Sequence, residues 1–188
     1  AATAEGGDLP KLERTLLDIF TTEALGNLDN MRQQIADCRT AGGLCFVTES
    51  FFRAAHTLQG NARSLGLQVM LESCAEIEKL LHTLKSENIP LDDTTLSLAD
   101  RFESCVRQLV ELMNGGATSS GELRREFAEL AHDLRAENQH LDTAERIVTG
   151  DDTPVEPEQE IEVEAQAAPA EPEADEIPVA PPVIPVVS

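Results

Sequence analysis

Apolar side chains return every three or four residues from Leu9 to Leu141, a period that fits amphipathic helices packed on one another and little else. Leu9, Leu12, Leu16, Phe20, Ala24, Leu28, Met31, Ile35 and Cys38 make the first run, which Gly42 and Gly43 end. Asp8 followed by Pro10 suits an N-cap and a first-turn proline, and Gly26 leaves open one helix or two in line. A second run, Val47, Phe51, Phe52, Ala55, Leu58, Ala62 and Leu65, stops at Gly66, where glycine can take the left-handed conformation that closes a helix. Leu67, Met70, Leu71, Cys74, Ile77, Leu80, Leu81 and Leu84 form the third, broken by Asn88 and Pro90. Asp92 or Asp93 opens a fourth, with Leu96, Leu98, Phe102, Cys105, Val106, Leu109 and Leu112 inward and Gly115 and Gly116 at its end. Six Phe and no Trp or Tyr leave little of the aromatic enrichment of sheets.

Four helices of roughly twenty residues, each about 30 Å long, joined by short connections predict an all-α fold: an antiparallel up-and-down four-helix bundle over residues 9–116. Residues 1–8 are expected to be a flexible N-terminus. Over 117–149 an additional helix follows, capped by Ser119 or Ser120, with Leu123, Phe127, Leu130, Leu134 and Leu141 at fours and threes. That stripe can pack on the bundle or pair with another copy as a short coiled coil, although Glu137 interrupts the pattern; a monomeric bundle is the favoured expectation. Residues 150–188 hold 11 acids, no base and eight of the ten prolines, which predicts a disordered acidic Pro-rich linker, with a partner-binding tail as the alternative. Such a linker, and a chain that begins at Ala1, suggest a piece of a longer multidomain protein.

With 35 Asp and Glu against 14 Lys and Arg, a net charge of -21, the chain lacks the clustered cations that grip phosphate backbones, so nucleic acid is not an expected partner. No apolar run reaches the roughly 18 residues of a membrane span, no signal-peptide pattern opens the chain, and a cytoplasmic location is expected. Cys38, Cys45, Cys74 and Cys105 form neither a CxxC pair nor a zinc-ligand spacing, and are expected to be reduced cysteines, three of them at apolar helical positions. No metal site is expected.

Against this acidity, Ser50 to Leu71 contains no Asp or Glu. Within the gap Arg53, His56, Gln59, Gly60 and Arg63 fall at -3, 0, +3, +4 and +7, predicted to share one face of the second helix. A glycine inside a helix costs roughly 0.5 to 1 kcal/mol relative to alanine, and nothing local requires Gly60. Close approach by another protein toward His56 would explain it. An exposed imidazole is a competent nucleophile near neutral pH, and the flanking guanidinium groups would attract an anion.

The run Ala55-His56-Thr57-Leu58-Gln59-Gly60-Asn61-Ala62-Arg63-Ser64-Leu65-Gly66 resembles the motif of the histidine phosphotransfer domain, roughly A-H-x-L-K-G-x-A-x-x-x-G. Cys74, Ile77 and Glu78 on the next helix, and LLDIFTTEALGNLDNM on the first, are similar to the family's pattern, so the resemblance spans about residues 9 to 114. It implies that His56 carries a phosphoryl group on Nε2 and exchanges it with a receiver-domain aspartate or a histidine kinase catalytic domain. It further implies that Glu78 accepts from Nδ1 and orients the ring, and that Gln59, Gly60, Arg63 and Arg53 form the phosphate and partner face. No cofactor is implied for the chain itself; Mg2+ and ATP come with partner domains, and no nucleotide-binding loop occurs in this sequence.

Gln59 stands where the family usually has Lys, and Ala75 where its chemotaxis branch often has a second His. The wording HTLQGNARSLG is similar to the phosphotransfer domains of CheA-like hybrid chemosensory kinases governing type IV pilus twitching. The alternative is a phosphorylation-incompetent docking or scaffold module that binds a receiver or kinase domain. His82, His132 and His140 are expected to be surface residues.

Overall fold

The computed structural model describes residues 8–149, and the described part is all helical: α1 (Arg14–Thr40), α2 (Glu49–Leu65), α3 (Gln68–Ser86), α4 (Asp93–Asn114) and α5 (Leu123–Thr149). The expectations for a flexible 1–8 segment and an acidic Pro-rich linker over 150–188 concern residues outside that span, save Asp8.

Local chemistry accounts for most helix ends. The Thr48 hydroxyl accepts from the Phe51 amide to cap α2, and Gly66 closes it at φ 68°, returning its amide to Ala62 and Arg63 carbonyls. The Asp92 carboxylate caps α4, accepting from the Thr95 amide at 2.8 Å and its hydroxyl at 2.7 Å. The N-terminus of α1 departs from the sequence reading. Helix begins at Arg14, not near Pro10, and runs through Gly26 as one element of 27 residues. Asp8 does not cap it. Its carboxylate accepts from the Ser120 amide at 2.7 Å, the Ser120 hydroxyl and Arg124 Nε at 2.8 Å, while the Leu9 amide donates to the Thr118 carbonyl. The segment before α1 is therefore tied to the α4–α5 connection. Ser120 spends its hydroxyl on that tie instead of capping α5. Because Leu9 and Leu12 precede the helix, the inward phase of α1 is set by Phe20, Ala24, Leu28, Met31, Ile35 and Cys38, and Leu16 is left exposed.

Cross-helix pairs give the packing. Glu49 with Lys85 and His56 with Glu78 run in opposite order along α2 and α3, as do Glu23 with Asn61 and Gln34 with Thr48 along α1 and α2. Between α1 and α4, Thr21 meets Asn114, Asp29 meets Arg107 and Arg32 meets Glu103, again in opposite order. Along α5 the order is the same as along α3, where Arg135 reaches Glu72 and Glu76 and Lys79 reaches Asp142, and opposite to α4, where Arg101 reaches Asp133 and Cys105 reaches Glu126. The fifth helix packs between α3 and α4, which touch each other little, and buries Leu123, Phe127, Leu130 and Leu134 there. Its apolar stripe is thus used within the chain.

One core runs through all five helices, with Phe51, Phe102, Phe127 and Met31 among its largest fully buried side chains. Glu103 is buried among them at 2 % exposure. Arg32 at 3.0 Å and Arg107 at 2.6 Å both donate to it, which is how a carboxylate is tolerated at that depth. The cysteines do not all stay reduced as expected. Cys38 and Cys45 form a disulfide, their Cα atoms 5.3 Å apart, because Gly42, at φ 59°, and Gly43 turn the chain back after α1. A separation of seven residues carries no sequence signature of such a bond. Cys74 and Cys105 are free and buried.

Candidate functional site

His56 lies mid-way along α2 with its side chain 64 % exposed, and its Nδ1 is 2.7 Å from Oε1 of Glu78 on α3. An ionised carboxylate can only accept, so Nδ1 carries the proton and donates it, which leaves the Nε2 lone pair free. Glu78 is more deeply buried than the ring it orients. Its side chain is 19 % exposed, and its Oε2 is buried without a hydrogen-bond partner in the protein. Among the described residues the imidazole is the one hydrogen-bond partner of this carboxylate.

Arg53, His56, Gly60 and Arg63 all lie on the exposed side of α2. Gln59 does not join them. It is buried at 8 % exposure, because at i+4 from Ala55 and i-3 from Ala62 it shares their stripe, on the side of α2 that covers the core. Since residues 56 and 78 face each other and the pairs run in opposite order, position 59 lies at about the level of position 75. The two departures from the family motif, Gln59 and Ala75, therefore fall in one region. A Cβ built on Gly60 meets nothing within 4 Å, so the fold has room for a side chain there and does not itself require the glycine. Among the described residues Arg63 has no ion pair, whereas Arg53 donates to Glu49 at 3.3 Å.

The sequence reading missed the neighbours of His56 on the α2–α3 seam. Glu49, Phe52, Arg53 and His56 are spaced i, i+3, i+4, i+7, and Glu78, His82 and Lys85 are spaced i, i+4, i+7. These stripes meet as three rungs: Glu49 with Lys85 at 2.5 Å, Phe52 with His82 at 6.0 Å between ring centres, and His56 with Glu78. The Phe52 ring also stacks at 6.3 Å from His56, and the Lys85 ammonium lies 5.3 Å from its centre. The period alone puts Phe52 in the inward run of α2, yet it is half-buried at this edge. The matching stripes were the available signal, readable once α2 and α3 are taken as neighbours running in opposite directions.

Among the other histidines, His82, His132 and His140 are exposed, and His132 lies 3.4 Å from Asp133. Among the described residues none of the three meets a carboxylate from another helix, as His56 meets Glu78. Among the described residues, no group of three His, Cys, Asp or Glu side chains is arranged to hold a metal ion, and no helix is long and apolar enough to cross a membrane. An exposed, singly tethered imidazole on the same helix side as two guanidinium groups can attack an electrophile at Nε2 and leave an anion within their reach. The model of one protein family, described as the Hpt domain, matches residues 15–137, from α1 into α5. No curated protein matches the chain.

Proposed function

The chain belongs to the Hpt domain family, whose members are phosphotransfer signalling modules, and on that premise we propose that His56 is the phosphoacceptor. The observation that carries this is the 2.7 Å contact from Nδ1 to Glu78, which leaves Nε2 of an exposed ring as the only free nitrogen. In the step, the Nε2 lone pair attacks phosphorus, an N–P bond forms, and the O–P bond to the donor breaks with its electrons staying on the departing oxygen. The Nδ1 proton stays on the ring, whose new positive charge the Glu78 carboxylate offsets. Arg63 and Arg53 face the phosphoryl oxygens, and Gly60 leaves room for the partner that delivers them.

The partners are a receiver domain and the catalytic domain of a histidine kinase; they bring Mg2+ and ATP, and this chain supplies a positioned nucleophile. In this reading α1–α4 form an antiparallel up-and-down bundle, supported by the opposite order of pairs at three of its interfaces, and α5 completes it as a monomer. The wider setting is a CheA-like hybrid kinase of the twitching type, supported by the wording HTLQGNARSLG and by the acidic Pro-rich composition of 150–188. A cytoplasmic setting belongs to the same reading and carries a condition: reducing compartments keep thiols unpaired, so Cys38 and Cys45 would stand there as a dithiol.

A second reading, a docking module that no longer takes phosphate, is favoured by one observation: the usual Lys is replaced by Gln59, and that side chain is buried. Incubation of the full chain with phosphoramidate, with and without His56→Gln, separates the two. Acid-labile phosphate lost with His56 supports the carrier; none in either, with a receiver domain still bound, supports the docking module.

A further inference from the structure

Glu49 is the last acid before the acid-free stretch, one helical turn before Arg53 and two turns before His56. Its carboxylate holds two cations at unequal distances, Lys85 from α3 at 2.5 Å and Arg53 at 3.3 Å. Both ties, Lys85 first, lower its pKa and keep it ionised. Arg53 lies at i+4 from Glu49 and at i-3 from His56, so one guanidinium is within side-chain reach of both positions, and at rest it is turned to Glu49. Lys85 is anchored elsewhere: its ammonium lies 5.3 Å from the centre of the Phe52 ring.

From this arrangement we infer that Glu49 is a latch on Arg53: it holds the guanidinium one turn away from the resting imidazole and gives it up when His56 carries a phosphoryl group. The inference rests on the phosphoacceptor reading of His56. Exchange is favourable because the phosphoryl group offers up to two negative charges against one, and because Glu49 keeps Lys85 and is not left unpaired when Arg53 leaves. Arg53 thereby supplies at i-3 the positive charge that Gln59 does not supply at i+3. Glu49 acts as a positioning residue, since it touches neither the imidazole nor the transferred group.

The test is a double-mutant cycle on the full chain, reading the rate of acid-labile phosphorylation by phosphoramidate and the lifetime of the product. Glu49→Gln frees Arg53 in the resting state and should raise the rate roughly two- to fivefold, the range an exposed ion pair commands. Arg53→Ala should shorten the lifetime of the phosphorylated form by a similar factor, and Arg53→Lys should restore part of it. In the Arg53→Ala background Glu49→Gln should change nothing, because the residue it releases is gone. An undiminished Glu49→Gln effect in that background would mean a general field effect and would overturn the latch, as would no effect in the parent. Failure of the parent itself to take phosphate at His56 would overturn the phosphoacceptor reading and the latch with it, and is told apart because no variant comparison is then needed. Unchanged far-UV circular dichroism in each variant assigns any rate change to the site and not to the fold.

Discussion

Replacing Asp8 by Asn should destabilise the bundle although Asp8 is far from His56 in sequence and lies before the first helix. Its carboxylate, 14 % exposed, collects two hydrogen bonds from Ser120 and one from Arg124 and pins the leading segment to the α4–α5 connection. Burial pushes the Asp8 carboxyl up, but the bonds from Ser120 and Arg124 outweigh it and hold the group well below the usual carboxylate range. Hydrogen bonds to a charged group contribute about 1.5–3 kcal/mol each in isolation, they are not additive, and the 63 % exposed Arg124 adds at the low end. Relief of the burial cost returns part of the loss, leaving about 2 kcal/mol, or about 4–8 °C in Tm for a domain of this size. The sign with pH follows from the lowered folded pKa: the contribution is complete above the unfolded value of about 4 and is lost as pH falls toward the folded value. Thermal melts of parent and Asp8→Asn should therefore differ at neutral pH and converge in strong acid. Equal Tm at pH 7, or a gap that persists undiminished into strong acid, would refute the reasoning.

Glu78→Ala should slow phosphorylation of His56 by about tenfold, the loss of one charge-assisted hydrogen bond, while Glu78→Gln, whose amide oxygen can still accept from Nδ1, should lie between; 15N imidazole shifts report the tautomer, and an unshifted ring in Glu78→Ala would count against the assignment. Gly60→Ala should raise stability by roughly 0.5–1 kcal/mol, since the added methyl meets nothing in the fold, and should slow exchange with a receiver domain; a faster or unchanged exchange would remove the partner-approach explanation of this glycine. Cys38→Ser opens the loop closed with Cys45 and should cost about 2–3 kcal/mol under oxidising conditions and little in reductant, measured by urea unfolding in both; equal losses in the two would mean that packing and not the bond sets the cost.

The helical fold was largely legible because its signal is repetitive: the inward positions of α2, α3 and α4 recur at threes and fours, and Gly66, Asp92 and Gly115 mark ends that the backbone uses. What the period did not carry was anything decided between elements. Leu9 and Leu12 kept the helical rhythm without being helical, since the pull of Ser120 on Asp8 fixes that segment across the fold. Glu103 sits in the core because two arginines, one of them on α1, neutralise it there. The disulfide depended on how two glycines turn the chain. At the site, the spacing on α2 placed His56, Arg53, Gly60 and Arg63 on one exposed face, but the offset of about 60° between His56 and position 59 was enough to bury Gln59. The Glu49–Lys85 and Phe52–His82 rungs needed the register of α2 against α3, which no single stripe contains.

The most direct test of the central claim is acid-labile phosphate on the full chain after incubation with phosphoramidate, compared with His56→Gln under the same conditions and followed by addition of a receiver domain. The account predicts one phosphoryl group per chain, absent from His56→Gln although His82, His132 and His140 remain, and transferable to the receiver. Phosphate retained in His56→Gln, or none on the parent while a receiver still binds, would contradict it.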